Sequence, residues 1–505
     1  MSGLKNLASD TVWYGLSSIV ARFIGWLLVP LYTQVFQTGE YGIVTELYGY
    51  VAFFYVLYTY GMETAYFRFA KNSSSESRTF NLSFTSLVST SVIFSSVLVL
   101  FSSEIVTALG YDGKEEVIYY LAGIIAIDAI AVVPYARLRF LNQAKRFAII
   151  KFGQIVLTVV LNLFFLVFVE DIFNGILLEN LQPVAQEFYD GGFKVKYVFI
   201  SNLMANAATL LFLIGTLKGF RVAVNFKELK PMLVYAYPLL FLGLAAATNE
   251  MLSRTFLIRW LPEGFYPDQT SQDALGVFGA CYKLSMLMVL GNQAFRYAAE
   301  PFFFSKAEEK GSPDLFAKIM SGFVAFNALV FVAVSVNLEP ISVLFLTNPE
   351  YREGLNVVPF LLLGYLFSGI YYNLSVWYKL TDRTHFGATI TGIGALITVV
   401  ANYLLIPVLG YFGSSLATLI TFFSMATISY FLGQKYYPIP YKLFRIVEYI
   451  AVASALVWIF YGVNTGNFWL NIPVRNAGIP AFILYIYIRE RKNLRGVSLF
   501  GFKIP

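Results

Sequence analysis

Apolar runs of about 20 or more residues, broken by short polar stretches, repeat along the whole chain. A run of about that length crosses the hydrocarbon core of a bilayer as a helix. The pattern predicts fourteen spans, at 11–36, 41–69, 80–102, 117–140, 147–169, 197–217, 231–260, 274–304, 315–338, 354–378, 386–408, 412–434, 444–463 and 469–488. The second, seventh and eighth are long, which permits tilt or extension beyond the bilayer. The expected class is an all-α polytopic membrane protein.

The polar stretches alternate in sign. Lys71 and Arg78 occupy one even-numbered loop, and Arg137, Arg139, Lys145, Arg146 and Lys151 the next. The same side receives Lys218, Arg221, Lys227 and Lys230, then Lys306, Lys310 and Lys318, then Lys379 and Arg383, then Lys435, Lys442 and Arg445. The odd-numbered loops carry mainly acids, such as Asp112, Glu115 and Glu116, or Glu263, Asp268 and Asp273. Excess Lys and Arg marks the cytoplasmic side, so both termini are expected in the cytoplasm. The last two spans carry less of this signal. The first apolar run lacks a small-residue cleavage site and reads as a span.

The chain also repeats itself. Gly42–Ala70 aligns without gaps with Gly276–Phe304 at an offset of 234, and Thr158–Phe164 with Thr398–Leu404 at an offset of 240. Two matches at nearly one offset predict two parallel six-span lobes, 1–220 and 221–440, followed by a helix pair and a basic tail, 441–505. Such repeats are common in transporters, with the substrate site between the halves.

Composition narrows the chemistry. Of 505 residues 58% are hydrophobic and 13% charged, roughly half the charge of an ordinary soluble chain. One cysteine and one histidine exclude an internal disulfide and a zinc site of several Cys or His ligands. His385 falls in a short loop, which leaves little for a Ser-His-Asp triad. No Gly-rich phosphate loop follows a strand, and the longest outer segment, about 170–196, is too short for a catalytic domain. No cofactor and no nucleic-acid partner are expected.

Ionisable residues inside the spans are costly and usually functional. The bases are Arg22, Arg254, Lys283 and Arg296. The acids are Glu46, Glu63, Asp128, Glu250 and Glu300. Two readings stay open. In one, Glu250/Arg254 and Arg296/Glu300, each four residues apart on one helix face, neutralise each other. In the other, the four bases line a cavity between the lobes and hold an anion; a diphosphate suits Arg forks and a Lys point charge. The acids could bind Na⁺ or a proton and couple transport to a gradient, with Asp128 the foremost candidate and Glu46, Glu63, Glu250 and Glu300 beside it. Tyrosines crowd span two, among them Tyr48, Tyr55 and Tyr58, and could line a sugar path or simply pack.

Several stretches resemble a known family. Asp10-Thr-Val-Trp-Tyr-Gly15, Arg22-Phe-Ile-Gly25 and Val29-Pro-Leu-Tyr32 resemble the first helix of bacterial O-antigen-type repeat-unit flippases. Gly39-Glu-Tyr-Gly-Ile43 and Gly61-Met-Glu-Thr-Ala-Tyr-Phe-Arg68 resemble the two ends of their second. These belong to the multidrug/oligosaccharidyl-lipid/polysaccharide (MOP) exporter superfamily. The resemblance implies a V-shaped pair of bundles and alternating access. It implies a cationic cavity receiving the head of a polyprenyl-diphosphate-linked oligosaccharide, and partners among polysaccharide polymerases and glycosyltransferases. It also implies a cytoplasmic-membrane location. Arg22 and Arg254 fall where that family places cavity bases; Lys283 and Arg296 are further carry-overs. The internal acids depart from a simply cationic cavity. Spans thirteen and fourteen would supply a groove for the lipid tail, as in lipid II flippases. The rivals are a Na⁺- or H⁺-coupled exporter of organic cations, expected to have an acid-dominated cavity, and a membrane polymerase or ligase, which would need more ionisable groups in a large outer loop.

Overall fold

The computed structural model describes residues 20, 23–72, 76–307, 309, 311–494, 498–499 and 502–503. Apart from a two-residue antiparallel pairing in the tail, Ser498 with Lys503 and Leu499 with Phe502, the described chain is helices and short connections. Helices satisfy every internal backbone group without water, as a bilayer requires. We number the long ones α1 (Phe23–Val35), α2 (Thr38–Thr59), α3 (Met62–Asn72), α4 (Glu76–Leu100), α5 (Glu115–Phe140), α6 (Ala144–Phe173), α7 (Lys196–Leu217) and α8 (Phe226–Trp260). There follow α9 (Ser271–Lys306), α10 (Ser312–Val336), α11 (Pro349–Leu380), α12 (His385–Tyr436), α13 (Leu443–Tyr461), α14 (Phe468–Asn476) and α15 (Gly478–Leu494).

Ten of these are long and apolar enough to cross a membrane among the described residues. The 52-residue α12 is two spans joined at Gly410, whose φ of 58° and ψ of −138° leave the helical region. A side chain there would collide with the Tyr266 hydroxyl. Counting α12 twice, and adding the α2–α3 pair and the α14–α15 pair, gives thirteen of the fourteen expected spans; of the first, 11–36, α1 is the described part and most of 11–22 lies outside the described residues.

The second span is not continuous. α2 opens with a capping box, in which the Gln37 backbone N–H donates to Glu40 Oε2 at 3.0 Å. It ends at Tyr60 and Gly61, both left-handed, with φ of 33° and 73°. A Cβ on Gly61 would lie 2.9 Å from the Leu239 side chain, so both backbone and space call for glycine here. Hydrophobic content carries no record of this break. α6 and α8 contain π turns at Phe164–Val169 and Thr248–Leu252.

The chain forms two compact units. The first comprises 1–279 and 398–410, the second 280–397 and 411–505. In the first, Met62, Tyr66, Phe80, Val133 and Met232 form an apolar core uniting α3, α4, α5 and α8. α2 and the start of α9 cross very closely: a Cβ on Gly276 would sit 1.8 Å from the Thr38 carbonyl oxygen, and one on Gly42 2.1 Å from that of Gln272. Asp273 ties the same two helix ends, accepting from Thr38 Oγ1 at 2.6 Å and from the Thr270 backbone N–H at 3.0 Å. In the second unit, Phe303, Phe316, Val376 and Ile439 form a core, and buried Trp377 donates to Ser429 Oγ at 3.3 Å.

The repeated residues hold equivalent local positions. Asn162 and Asn402 each donate to the carbonyl four residues back, Thr158 and Thr398, at 2.8 and 2.7 Å. Asn162 Oδ1 accepts from the Tyr32 hydroxyl of α1 at 3.0 Å, while Asn402 Nδ2 donates to Ser253 of α8 at 3.3 Å. Thr398 adds a bond to Asn249 at 3.0 Å.

The 170–196 segment folds back on itself. Lys194 pairs with Glu170, and Tyr189 stacks on Tyr197 at 4.4 Å. The Lys196 ammonium, 2.9 Å from Asp190, holds that carboxyl below the usual carboxylate range.

Candidate functional site: a polar cavity in the first unit

Five helices of the first unit, α2, α3, α5, α6 and α7, surround a cavity of about 530 Å³. α2 contributes Tyr48 and Tyr55, α5 contributes Asp128, Tyr135 and Arg139, α6 contributes Lys151 and Gln154, and α7 contributes Asn202, Asn206 and Thr209. Polar groups this deep in an apolar bundle need partners, and a connected chain supplies them. Lys151 Nζ donates to Gln154 Oε1 at 3.3 Å. Gln154 Nε2 donates to Asn206 Oδ1 at 2.6 Å, and Asn206 Nδ2 donates to Asp128 Oδ1 at 3.0 Å. Beside it Asn202 donates to the Tyr48 hydroxyl at 2.7 Å. The Lys151 ammonium also stands 4.2 Å from the centre of the Tyr135 ring, a favourable cation–π distance.

This arrangement orients each amide in turn and presents Asp128 as an acceptor. Among the described residues, Asn206 is the hydrogen-bond donor to that carboxylate. Its other oxygen can take a proton, a small cation or a sugar hydroxyl. Near the cavity's edge Arg139 pairs with Glu63, side chains 32% and 37% exposed, so Glu63 is neutralised locally yet reachable by solvent.

Glu46 belongs to a different cluster. It is 1% exposed and accepts from the Tyr111 hydroxyl, from Tyr50 at 3.4 Å and from Gln272 Nε2 at 3.4 Å. Burial, with the Glu46 charge adding to it, pushes the Tyr111 hydroxyl up, so Tyr111 stays a proton donor. These bonds tie α2, the Tyr111 loop and the start of α9.

The expected cavity bases separate in several ways. Arg22 lies outside the described residues. Arg254, 8% exposed, is in the first unit, and its Nη2 lies 3.4 Å from the carbonyl oxygen of Glu250, whose residue sits in the π turn. Lys283 and Arg296 lie on α9 in the second unit, both half-buried. The Arg296–Glu300 neutralisation, one of the two readings left open by the sequence, is not the arrangement found. Glu300 pairs with Lys379 of α11 at 2.8 Å, and the Arg296 guanidinium lies over the Tyr372 and Tyr297 rings, at 5.2 and 5.6 Å. A longer-range cation out-competed the helix neighbour.

Sequence reasoning placed Lys151 in a loop and passed over the amides. The signal was present: Lys151, Gln154, Thr158 and Asn162 lie at steps of three and four residues, as do Asn202, Asn206 and Thr209. Such spacing puts a polar stripe on one helix face.

A family description, MatE, matches residues 268–404. A search of curated protein sequences finds no match. Among solved structures, the lipid II flippase MurJ in an inward closed conformation superposes with a TM-score of 0.72, covering 96% of this chain and 100% of that one at 13% identity. The MATE transporter VcmN of Vibrio cholerae gives 0.57, with 85% and 96% covered at 12% identity. A MOP superfamily transporter from Pyrococcus furiosus, described as having a binding pocket of reversed polarity, gives 0.55, with 87% and 96% covered at 14% identity. The chain therefore has the all-helical fold shared by these membrane transporters.

Proposed function

We propose that this chain is a transporter of the MOP superfamily. In this reading it flips a polyprenyl-diphosphate-linked oligosaccharide from the inner to the outer leaflet of the cytoplasmic membrane by alternating access. Among the compared structures, the lipid II flippase covers 96% of this chain, against 85–87% for the other two. That difference carries the reading. α13 also forms, with α11 and α12, an apolar groove of about 410 Å³ lined by Phe367, Ile370, Phe423, Phe431, Ile446 and Val447. Such a surface suits a polyprenyl tail.

Arg22, Arg254, Lys283 and Arg296 would hold the diphosphate during transfer, Arg through its planar fork and Lys as a point charge. Asp128, anchored by Asn206, would take a proton or cation that resets the cycle. Glu250 is a further coupling candidate; Glu46 and Glu300 are weaker ones, since each already holds a partner from another segment of the chain. One observation favours the rival, an ion-coupled exporter of organic cations: the polar cavity of the first unit presents the Asp128 carboxylate, with Lys151 and Arg139 also in its lining.

The deciding experiment is reconstitution in liposomes containing a polyprenyl-diphosphate oligosaccharide. Transfer between leaflets above protein-free controls supports the flippase. No transfer, with gradient-driven efflux of an organic cation from the same vesicles, assigns the exporter instead.

A further inference from the structure

The second unit carries a basic pocket that the transport reading does not use. It has a volume of about 460 Å³ and lies between α10, α13 and α15. Its charged members are Lys318 on α10, Lys442 and Arg445 at the start of α13, and Glu490 on α15. Glu490 is committed: Arg445 Nη1 is 2.8 Å away, and the buried Tyr449 hydroxyl also donates to it. Lys318 and Lys442 are exposed, and among the described residues neither forms an ion pair. The pocket therefore holds two uncompensated positive charges beside a fixed Arg–Glu pair. Its opening is real space, since a Cβ on Gly322 would meet nothing within 4 Å.

Depth sorts the lining. Lys318 and Lys442 stand at the helix ends that the excess of Lys and Arg assigns to the cytoplasm. One to two turns further into the bilayer the walls become Ala325, Ile486 and the Tyr449 ring. A ligand matched to this gradient has an anionic head at the interface and an apolar body running inward. Basic pockets between membrane helices on the cytoplasmic side bind lipid head groups in this way.

We propose that this pocket binds the phosphate of an anionic phospholipid of the inner leaflet, with Lys318 and Lys442 on the phosphate and the first methylenes against Ala325 and Ile486. The site is independent of what the protein transports.

The test uses the full chain in phosphatidylcholine nanodiscs and measures the association of spin-labelled phosphatidylglycerol relative to spin-labelled phosphatidylcholine. The unmodified protein should prefer phosphatidylglycerol. Lys318→Ala/Lys442→Ala should cut that preference about 25-fold, because each interfacial Lys is worth about a fivefold change. Gly322→Leu fills the opening without changing charge and should cut it too. Lys227→Ala/Lys230→Ala, an exposed pair in the first unit, should leave it unchanged. Equal loss in that control pair, or full binding by Gly322→Leu, overturns the pocket in favour of diffuse surface attraction. Erasure of the preference by millimolar inorganic phosphate would assign a free anion. Displacement by polyprenyl diphosphate at far lower concentration than by phosphatidylglycerol would assign the pocket to the transported substrate. Either result overturns the phospholipid proposal.

Discussion

At the scale of single residues, charge inside the spans is the informative feature, and each charge has a distinct test. Asp128→Asn keeps the shape and the Asn206 contact but removes the titrating group. If Asp128 carries the coupling ion, the variant's leaflet transfer should become indifferent to an imposed proton or Na⁺ gradient while the protein still reconstitutes. Retained gradient dependence would move coupling elsewhere. Arg254→Ala, Lys283→Ala and Arg296→Ala should each lower transfer about tenfold or more, since a hydrogen bond to a charged group contributes about 1.5–3 kcal/mol. Normal transfer by all three would remove the diphosphate-holding role. The charged residues themselves were legible in the sequence because they interrupt apolar runs. Their partners were less so. Glu300 has Arg296 four residues away yet bonds to Lys379 on another helix, a choice that depends on how α9 and α11 pack. The amides around Asp128 were hidden for another reason: a single Asn or Gln in an apolar run looks like packing until its helical spacing is counted.

At the scale of elements, glycine spacing records where helices meet. Gly42 and Gly276 are counterparts in the internal repeat, and the structure brings these two positions together: a Cβ on Gly276 would lie 3.1 Å from the Gly42 backbone nitrogen as well as 1.8 Å from the Thr38 carbonyl oxygen. The obstructing atoms are backbone and cannot swing aside. Gly276→Ala should therefore destabilise by about 1–3 kcal/mol, the usual cost of overpacking, visible as a lower melting temperature in detergent. Gly291, on the same helix, would meet nothing within 4 Å. There the substitution Gly291→Ala should be neutral or stabilising by up to about 1 kcal/mol, through helix propensity alone. If both variants melted alike, the close crossing of α2 and α9 would be in doubt. Asn162 and Asn402, counterparts in the sequence alignment, make the same bond to the carbonyl four residues back. The break between α2 and α3 and the two π turns were not legible in the sequence, since left-handed residues and widened turns leave the apolar count of a span unchanged.

At the scale of the whole molecule, the sign of loop charge makes an orientation testable. Cys281 is fully buried, its thiol 3.2 Å from the Tyr351 carbonyl oxygen, so introduced cysteines can be labelled without background. Lys227→Cys should react with an impermeant maleimide from the cytoplasmic side and Asp268→Cys from the opposite side; the reverse pattern would invert the proposed topology. With orientation known, the membrane potential becomes a probe of what crosses. A diphosphate moved outward carries negative charge away from a negative interior, so an inside-negative potential favours the step by about 2.3 kcal/mol per net charge per 100 mV. Positive side chains that travel with the diphosphate reduce that figure, and a proton or Na⁺ bound at Asp128 on the return stroke adds inward positive charge that the same potential also favours. Both halves of the cycle then respond in one direction. Outward transfer in liposomes should accelerate at inside-negative potential and slow when the potential is reversed. A rate independent of potential would mean that the bases neutralise the diphosphate fully during transfer and that no ion returns, which would remove Asp128 from the cycle and leave the anion cavity standing alone.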